Sequence, residues 1–389
     1  MSTRPAINPN LIDTATPPIP EAQAWARAYD GAAGPLIDLS QAVPGYPPHA
    51  EFLEHLSRNA GEAATASYGP IEGDTALRQA YAEHVSSLYG GPVDWRDVAI
   101  TTGCNQAFFI AALATAKAGD SILLPSPWYF NHKMALDMLG IEARALACPP
   151  ESGFVPDVES AAELIDATTR AIVLVTPNNP TGAVYPPQTI ETFARLCRER
   201  GLFLILDETY RDFIAERPHD LIASGDYANT LIYLYSFSKS YCIPGHRLGA
   251  LVASQTAQTQ IGKILDTLQI CAPRAAQGPV AWAIDGLADW REANRQEIAR
   301  RTDAFRTAFQ GLNGWKVDSM GAYFAFLRHP FPGRPAAAVA KELVERAGVL
   351  CLPGPYFGPG QEGHMRVAFA NAGVEQLRAL RERFSRFPG

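Results

Sequence analysis

Residues 231–249 read LIYLYSFSKSYCIPGHRLG, a segment that combines a predicted strand with two cationic side chains. Its first five residues are apolar and of types that favour strands, so they predict a buried β-strand. Lys239 follows that strand among hydroxyl side chains on a predicted loop, and Arg247 lies eight residues further on. Ligands of open α/β sheets bind beyond the carboxyl ends of the strands. We therefore expect both cationic side chains at a ligand-binding edge of a sheet.

Strand and helix patterns alternate along most of the chain. Short apolar runs predict strands at residues 98–101, 121–124, 142–146, 171–175, 202–206, 231–235 and 248–253. Longer runs between them predict helices at residues 105–117, 131–139 and 187–200. This alternation predicts an α/β fold in which helices flank a mostly parallel, seven-stranded sheet.

The pattern changes after residue 277, where a smaller α+β domain is expected. One long helical stretch at residues 278–309 is followed by predicted strands at 323–327 and 365–368, with a helix at 335–347 between them. The predicted domain limits are an N-terminal arm at 1–30, a small domain at 31–48 and 276–389, and a large domain at 49–275. The arm is rich in Pro and Ala, and we expect it to be loose or to pack on another subunit.

Composition restricts the class of protein. Hydrophobic residues make up 47% of the 389 residues and charged residues 19%, which is typical of a globular enzyme. The net charge of −7 argues against nucleic-acid binding. The six cysteines are scattered without metal-ligand spacing, so we expect reduced thiols and no metal site. No apolar run is long enough to span a membrane and no secretory signal is visible, so we expect a cytoplasmic protein.

The Lys239 stretch carries the groups that one particular cofactor needs. A lysine amine forms a Schiff base with an aldehyde, and hydroxyl groups together with an arginine hold a phosphate. Pyridoxal 5'-phosphate carries both an aldehyde and a phosphate. The alternative is a solvated surface lysine, which is the commoner role of a lysine in a loop. Agreement with other segments decides between these two interpretations.

Two further strand ends carry polar side chains that suit the same cofactor. Asp207 follows the strand at 202–206, where its carboxylate could face a protonated pyridine nitrogen; the alternative is a helix cap or a turn. Asn179 lies in TPNNPTG after the strand at 171–175, where its amide could donate to a phenolic oxygen; the alternative is a plain turn.

Three more segments fit an active site less specifically. TTGCNQA, which begins at Thr101, joins a strand to a helix start, where free N–H groups bind phosphate. Trp128 and Tyr129 follow the strand at 121–124, where one aromatic ring could stack on a planar cofactor. Arg366 lies inside an apolar strand, so it requires a partner, either a substrate carboxylate or a structural salt bridge.

Together these motifs resemble the class I/II aminotransferase family, the fold-type I pyridoxal-phosphate enzymes, from about Leu36 to the end of the chain. The resemblance rests most on the stretch from Lys239 to Arg247, on Asn179 in NPTG, and on Asp207 with Tyr210 in order and spacing. It implies pyridoxal 5'-phosphate as the cofactor.

The resemblance also implies a role for each residue. Lys239 would form the Schiff base and shuttle the proton, while Asp207 would pair with the pyridine nitrogen. Tyr210 and Asn179 would contact the 3-hydroxyl oxygen of the ring. Tyr129 would stack on the ring, with Trp128 as the second candidate. The phosphate end would be held by Gly103, Cys104, Asn105, Ser236, Ser238 and Arg247. The substrate would contact Arg366, Asn179, Ala42 and Trp128.

The implied activity is transfer of an amino group from an L-amino acid to a 2-oxo acid. Aromatic residues near the expected site, Tyr46, Trp128, Tyr323 and Phe324, favour aromatic or bulky neutral donors. Arg274 is the only nearby candidate for a second carboxylate-binding arginine. A β-eliminating lyase on the same scaffold is the alternative activity. A cofactor-sensing regulator is a further alternative, which the short, neutral N-terminal arm disfavours.

The chain departs from the family pattern at two positions, and a third residue implies a contact between subunits. Ala42 stands where the family often has a glycine, which could narrow the substrate pocket. Cys104 replaces the more usual serine or alanine of the phosphate loop. Tyr68 would reach the cofactor phosphate of the other subunit, which implies a homodimer with shared active sites.

Overall fold

The structure is a computed structural model that describes residues 6–216, 219–225 and 227–387. Its helices are α1 (Pro9–Asp13), α2 (Ile19–Ala28), α3 (Ala50–Ala60), α4 (Thr75–Tyr89), α5 (Cys104–Thr115), α6 (Phe130–Leu139), α7 (Val158–Leu164), α8 (Pro187–Arg200), α9 (Tyr227–Thr230), α10 (Phe237–Ser240), α11 (Gln255–Gln269), α12 (Gln277–Gly286), α13 (Ala288–Phe309), α14 (Ala336–Ala347) and α15 (Val374–Ser385). Its strands are β1 (Ile37–Asp38), β2 (Val98–Thr101), β3 (Ser121–Ser126), β4 (Glu142–Ala147), β5 (Thr169–Val175), β6 (Phe203–Asp207), β7 (Leu231–Ser236), β8 (Gly249–Val252), β9 (Lys316–Gly321), β10 (Phe324–Arg328), β11 (Val349–Leu350), β12 (Leu352–Pro353) and β13 (His364–Val367).

The main sheet has seven strands in the order β2-β8-β7-β6-β5-β3-β4. Strand β8 runs antiparallel to both of its neighbours, and the pairs from β7 to β4 are parallel. The expected α/β fold with a mostly parallel seven-stranded sheet is therefore confirmed. Because parallel strands all end at one edge, the segments that follow β5, β6 and β7 meet there.

Burial on both faces explains the continuous apolar strands of this sheet. Ile172, Leu174, Leu204 and Leu206 pack into one hydrophobic cluster, while the alternate residues Val173 and Ile205 pack into another on the opposite face. Successive side chains of a strand point to opposite faces, so a sheet covered by helices on both sides requires apolar residues throughout.

A second, antiparallel sheet lies in the C-terminal part of the chain. Its four strands have the order β12-β13-β10-β9. Strands β13, β10 and β9 share a separate hydrophobic cluster with α13, α14 and α15, whereas Leu352 of β12 packs into the cluster of the main sheet. Strand β1 pairs in parallel with β11, which connects residues 37–38 to this region. The domain limits expected from the sequence stay a prediction.

The N-terminal segment packs on its own chain. Helix α1 contacts α6, and α2 contacts α14. The hydroxyl of Tyr356 donates to Glu21 Oε2 over 2.6 Å. We expected residues 1–30 to be loose or to pack on another subunit, and for residues 6–30 the first expectation is wrong because these two helices are anchored. Residues 1–5 lie outside the described residues.

Two other expectations need correction. The helical stretch expected at 278–309 is two helices, α12 and α13, which are separated at Leu287. Gly286 has low helix propensity and Leu287 is buried in the core, so packing ends the first helix there. Lys239 lies on the one-turn helix α10 rather than on a loop, because the Ser236 hydroxyl caps the N–H of Ser238 at 3.3 Å.

Candidate active site

A cavity of about 400 Å³ opens at the carboxyl ends of the parallel strands. Its walls come from both sheets, from the N-terminal segment and from the loop after β1. It is lined by Pro17, Ile19, Gln41, Ala42, Val43, Cys104, Asn105, Tyr129, Phe130, Asn131, Val175, Asn179, Asp207, Thr209, Tyr210, Ser236, Ser238, Lys239, Pro244, Arg247 and Arg366. Most of the residues expected from the sequence therefore line one cavity.

Strand register brings the polar groups together. Val175 at the end of β5 pairs with Asp207 at the end of β6, and Asp207 pairs with Leu234 of β7. Asn179 follows β5, and Ser236 is the last residue of β7. Three neighbouring strands thus deliver an amide, a carboxylate and a hydroxyl to one edge of the sheet.

Lys239 is the only one of the six lysines in the sequence that lines the cavity as the structure describes it. Its half-buried amine Nζ donates to the Ala42 carbonyl oxygen at 2.5 Å. Burial lowers the pKa of Lys239 to about 8, with further lowering from the positive charges of Arg366 and Arg247. A lysine with a pKa near neutrality can act as a nucleophile and as a proton carrier.

Asp207 is 5% exposed and accepts hydrogen bonds from this chain on both oxygens. The backbone N–H and the hydroxyl of Thr209 donate to Oδ1 over 3.0 and 2.7 Å. His132 Nε2 lies 3.4 Å from Oδ2, and Cys104 Sγ lies 3.6 Å from the same oxygen. Burial alone would raise the pKa of Asp207, but the contacts with His132 and Thr209 outweigh burial and lower the pKa below its usual value.

His132 is a residue of the site that the sequence analysis missed. It is 1% exposed, lies on α6 and stacks on Phe108 with ring centroids 3.8 Å apart. The sequence spacing could have predicted this position. His132 lies three residues after Tyr129, about one helical turn, so its side chain lies on the same face of α6 and near the same edge of the sheet. Thr209, two residues after Asp207, was missed as well.

Groups suited to an anion gather at the other end of the cavity. Gly103 caps α5 with a φ of +81°, and a side chain there would overlap the Arg247 guanidinium. The first N–H groups of α5 have no acceptor within the helix, so they can bind an anion. Ser236 and Ser238 are buried and line the same cavity. No Asp or Glu among the described residues forms an ion pair with Arg247.

Arg366 comes from the second sheet and is 2% exposed. Its Nη1 donates to Asn179 Oδ1 at 2.9 Å and its Nη2 donates to the carbonyl oxygen of Ser40. Its Nε is buried without a hydrogen-bond partner, and no carboxylate of the described part of the chain pairs with it. Burial lowers the pKa of Arg366 to about 10. A buried guanidinium with only neutral partners can still bind an external carboxylate.

Three of the residues expected to contact the cofactor or the substrate do not line the cavity within the described part of the chain. Tyr129 does, whereas its neighbour Trp128 packs against the apolar cluster behind the sheet edge. Gly103 lies directly behind the Arg247 guanidinium. The side chain of Tyr68 is 78% exposed, on a loop away from this cavity. The aromatic residues Tyr46, Tyr323 and Phe324, also expected near the site, do not line the cavity as described either, because they pack with Tyr210 in a hydrophobic cluster.

The residues present fit pyridoxal 5'-phosphate. The cavity presents an amine of lowered pKa, a buried carboxylate, a tyrosine ring and, at its far end, a helix start with Arg247. The volume falls within the usual range of small-molecule sites. The buried Nε of Arg366 leaves one further polar group for a substrate.

Comparison with known proteins assigns the chain to a family. Residues 35–384 match the family model for aminotransferases of class I and II. The chain belongs to this family, so it is a pyridoxal-phosphate-dependent aminotransferase.

Individual relatives agree with this assignment. An aromatic aminotransferase of Arabidopsis thaliana is 28% identical over 89% of this chain and 88% of its own length. An aspartate aminotransferase of Pyrococcus horikoshii is 28% identical over 89% of each chain. The structure of an aspartate aminotransferase from Thermus thermophilus with maleate has a TM-score of 0.90 and 25% identity, covering 98% of this chain and 100% of that chain. The lyase alternative is not favoured.

Proposed function

We propose that Lys239 holds the cofactor and moves the proton during transamination. The observation that carries this proposal is the convergence of Lys239, Asp207 and Arg247 on one cavity that Arg366 closes from the second sheet. When bound, pyridoxal 5'-phosphate supplies an aldehyde for the amine and a ring that accepts electron density. Lys239, with its lowered pKa, releases and takes up a proton near neutral pH.

The proposed cofactor contacts are those that the family resemblance implies, and the lining of the cavity supports them. Asp207 stays ionised at the base and faces the pyridine nitrogen. Tyr210 and Asn179 contact the 3-hydroxyl oxygen, and the ring of Tyr129 stacks on the cofactor. The phosphate is held by Gly103, Cys104, Asn105, Ser236, Ser238 and Arg247.

Arg366 is proposed to bind the α-carboxylate of the amino acid. Its guanidinium is fixed by Asn179 and Ser40 and lies over the rings of Phe324 and Phe357, with centroid distances of 5.0 and 4.8 Å. A guanidinium that is already fixed loses little conformational entropy when it binds a carboxylate in a bidentate manner. Asn179 and Ala42 border the same space.

We propose an aromatic or bulky neutral amino acid as the donor. Beyond Ala42 the cavity wall continues with the apolar side chains of Pro17, Ile19, Val43 and Phe130. Its cationic lining residues, within the described part of the chain, are those already assigned to the cofactor and to the α-carboxylate. The relative from Arabidopsis thaliana is named for aromatic substrates and that from Pyrococcus horikoshii for aspartate.

Arg274, the candidate for a second carboxylate, is engaged elsewhere. Its Nη1 donates to the carbonyl oxygens of Ala64 at 2.5 Å and Ser67 at 3.1 Å, and its Nε lies 3.3 Å from Asp74 Oδ1. It does not line the cavity as described. Among the described residues, an acidic donor side chain would therefore lack a cationic partner.

The experiment is a single-turnover panel. Single L-amino acids are added to the cofactor-loaded protein without an oxo acid, while its visible absorption is followed. Phenylalanine and leucine are expected to discharge the band fastest, with one equivalent of oxo acid released and no ammonia. Fastest discharge by aspartate would contradict the donor class, and ammonia released over many turnovers would contradict transamination.

We also propose a homodimer. The exposed side chain of Tyr68 has no role in its own cavity, and the role implied for it requires a second subunit. Sedimentation of the active protein is expected to give a dimer, and an active monomer would contradict the proposal. The cytoplasmic location and the domain limits expected from the sequence stay predictions.

A further inference from the structure

A buried polar cluster lies directly behind the Lys239 turn, outside the cavity. Its members are Asp212, Tyr235, Ser240 and Arg291, which we call the Asp212 cluster. The hydroxyl of Tyr235 donates to Asp212 Oδ2 at 2.5 Å, and the hydroxyl of Ser240 donates to the same oxygen. The two hydroxyl oxygens are 2.9 Å apart. One carboxylate oxygen thus joins two elements of the chain.

Arg291 of α13 completes the cluster from a third element. Its Nη1 lies 3.5 Å from Asp212 Oδ1, and its Nη2 donates to the Ile284 carbonyl oxygen at 2.6 Å. The side chains of Arg291 and Asp212 are only 13% and 12% exposed. Burial alone would raise the pKa of Asp212, but the positive charge of Arg291 and the hydroxyl donors lower it below its usual value. The carboxylate is therefore ionised and accepts from both hydroxyls.

The covalent positions of these residues connect the cluster to the site. Ser240 follows Lys239 directly on α10, and Tyr235 lies one residue before the end of β7. Asp212 lies two residues after Tyr210, on the short 3₁₀ helix Arg211–Phe213. Lys239 and Tyr210 approach the cavity from separate segments, and the Asp212 carboxylate is a hydrogen-bonded link between those segments.

We propose that Asp212 is a positioning residue that, through Ser240 and Tyr235, fixes the Lys239 amine relative to Tyr210. This inference rests on the proposed function of Lys239. Helix α10 has only four residues, so its own backbone hydrogen bonds hold the turn weakly. A displacement of about 1 Å at a proton-transferring group can reduce turnover by about 100-fold. The Asp212 cluster restricts such displacements because it holds α10 on the side opposite the cavity.

A second tyrosine–carboxylate contact in the same core provides a matched control. The hydroxyl of Tyr89 donates to Glu208 Oε2 and lies 3.2 Å from the hydroxyl of Tyr233. Tyr89 is as buried as Tyr235, each being 3% exposed, but its hydroxyl and ring contact Glu208, Tyr233 and His219. Loss of either hydroxyl removes one hydrogen bond to a carboxylate and one contact with a neighbouring hydroxyl, but only Tyr235 is joined in this way to Ser240 of α10.

The test compares Ser240→Ala and Tyr235→Phe with Tyr89→Phe, and uses Ser240→Thr as the conservative variant. These substitutions leave the Asp212–Arg291 ion pair in place, whereas Asp212→Asn removes the counter-charge of Arg291 and destabilises the fold as well. We expect kcat to fall about 10- to 100-fold in Ser240→Ala and Tyr235→Phe, with KM for the amino acid changed less than about threefold. Tyr89→Phe and Ser240→Thr are expected to retain the wild-type kcat.

A second readout does not depend on turnover. In the cofactor-free protein, the pH dependence of Lys239 acylation by a small amine-reactive reagent reports the environment of its amine. The positive charges of Arg366 and Arg247 and the thiol of Cys242 act on this amine. We expect the midpoint to move from about 8 towards the ordinary lysine value of 10.5 in Ser240→Ala, because a freer amine is less buried. An unchanged midpoint together with an unchanged kcat would overturn the inference.

The failure of the inference can be distinguished from that of the proposed function. If Lys239→Ala abolishes turnover while Ser240→Ala and Tyr235→Phe behave like Tyr89→Phe, only the positioning role of Asp212 is wrong. If Lys239→Ala retains turnover, the role of Lys239 itself is wrong.

Discussion

The carboxylates of Asp207 and Asp212 lie five residues apart and are both withdrawn from solvent, but their surroundings differ. Asp212 is paired with the Arg291 guanidinium and accepts from two hydroxyls. Asp207 has contacts with Thr209, Cys104 and the imidazole of His132, and no arginine or lysine of the described residues pairs with it.

The difference shows which carboxylate serves a ligand. The charge of Asp212 is balanced by its own chain, so this residue contributes to stability and to position. The charge of Asp207 faces a cavity and is held by weaker partners, so it remains able to pair with a cationic ring. The same contrast separates Arg291, which has a carboxylate partner, from Arg366, which has only neutral ones.

Substitution of Lys239, which lies between the cavity and the Asp212 cluster, is expected to reduce activity most. We expect Lys239→Ala to reduce single-turnover transamination by about 10⁴-fold, the upper range for loss of a general acid–base group. Lys263→Ala, at an exposed position on α11, serves as the control and should retain full activity. Turnover above about one tenth of wild type in Lys239→Ala would contradict the account.

Neutralising the two carboxylates tests the comparison itself. Asp207→Asn is expected to reduce kcat by about 10³-fold and to destabilise the cofactor-free protein less than Asp212→Asn does, because the Asn oxygen still accepts from Thr209 and no arginine or lysine of the described residues loses a counter-charge. Asp212→Asn leaves the buried guanidinium of Arg291 without its counter-charge and should cost about 3 kcal/mol in the free energy of unfolding.

Urea unfolding of the cofactor-free proteins and single-turnover rates of the loaded proteins measure the two effects. The contrast between the two carboxylates fails if Asp207→Asn is the more destabilised variant, or if Asp212→Asn unfolds like wild type.

A substitution at Arg366 tests whether its guanidinium, which has only neutral partners in the described part of the chain, binds the substrate. We expect Arg366→Lys to lower kcat/KM by about 100-fold, mainly through KM, because an ammonium group cannot form the bidentate contact. Arg328→Lys, on β10 and paired with Asp318, is the matched control and should leave kcat/KM unchanged. Equal effects of the two substitutions would remove Arg366 from the substrate site.

The lowered pKa of Lys239 gives a prediction for pH. The folded cofactor-free protein loses this proton near pH 8, whereas an unfolded lysine keeps it to about 10.5. Because the unfolded state then binds more protons, the Lys239 contribution to stability rises with pH across this window. Arg247→Met removes one positive charge and should raise the pKa of Lys239, measured by the pH dependence of its acylation. A lower pKa in that variant would contradict this reasoning.

Loss of one hydrogen bond to Asp207 is expected to reduce kcat least. Thr209→Val removes the hydroxyl donor at 2.7 Å and keeps the backbone donor. A hydrogen bond of this kind is worth about 1 kcal/mol, so kcat should fall about fivefold. Thr192→Val, at a half-buried position on α8 where the hydroxyl donates to the Gln188 carbonyl oxygen, provides a comparison outside the cavity that should not change kcat. An unchanged kcat in Thr209→Val would mean that Asp207 does not depend on this donor.

Most residues that line the cavity were predicted from the sequence, whereas the Asp212 cluster behind the cavity was not. Asp207, Asn179 and Lys239 were found because each follows an apolar strand, and strand ends of a parallel sheet converge. Arg366 was found because an arginine inside an apolar strand requires a partner. These signals are local in the sequence.

The missed features depend on tertiary packing. Asp212 and Ser240 are ordinary polar residues in sequence, and only the packing of the 3₁₀ helix against α10 makes them partners. His132 meets Asp207 because α6 and β6 approach the same edge. Pro17 and Ile19 line the cavity because α2 folds back onto its own chain, whereas their Pro-rich context indicated an arm.

The proposal that Lys239 holds the cofactor can be tested by locating the covalent linkage directly. The protein loaded with pyridoxal 5'-phosphate is reduced with borohydride, which converts the Schiff base into a stable bond, and its peptides are analysed by mass spectrometry. The sequence contains six lysines, so every position can be resolved. The account expects the cofactor mass on Lys239 alone. Labelling of another lysine, or no labelling of Lys239 in the loaded protein, would contradict it.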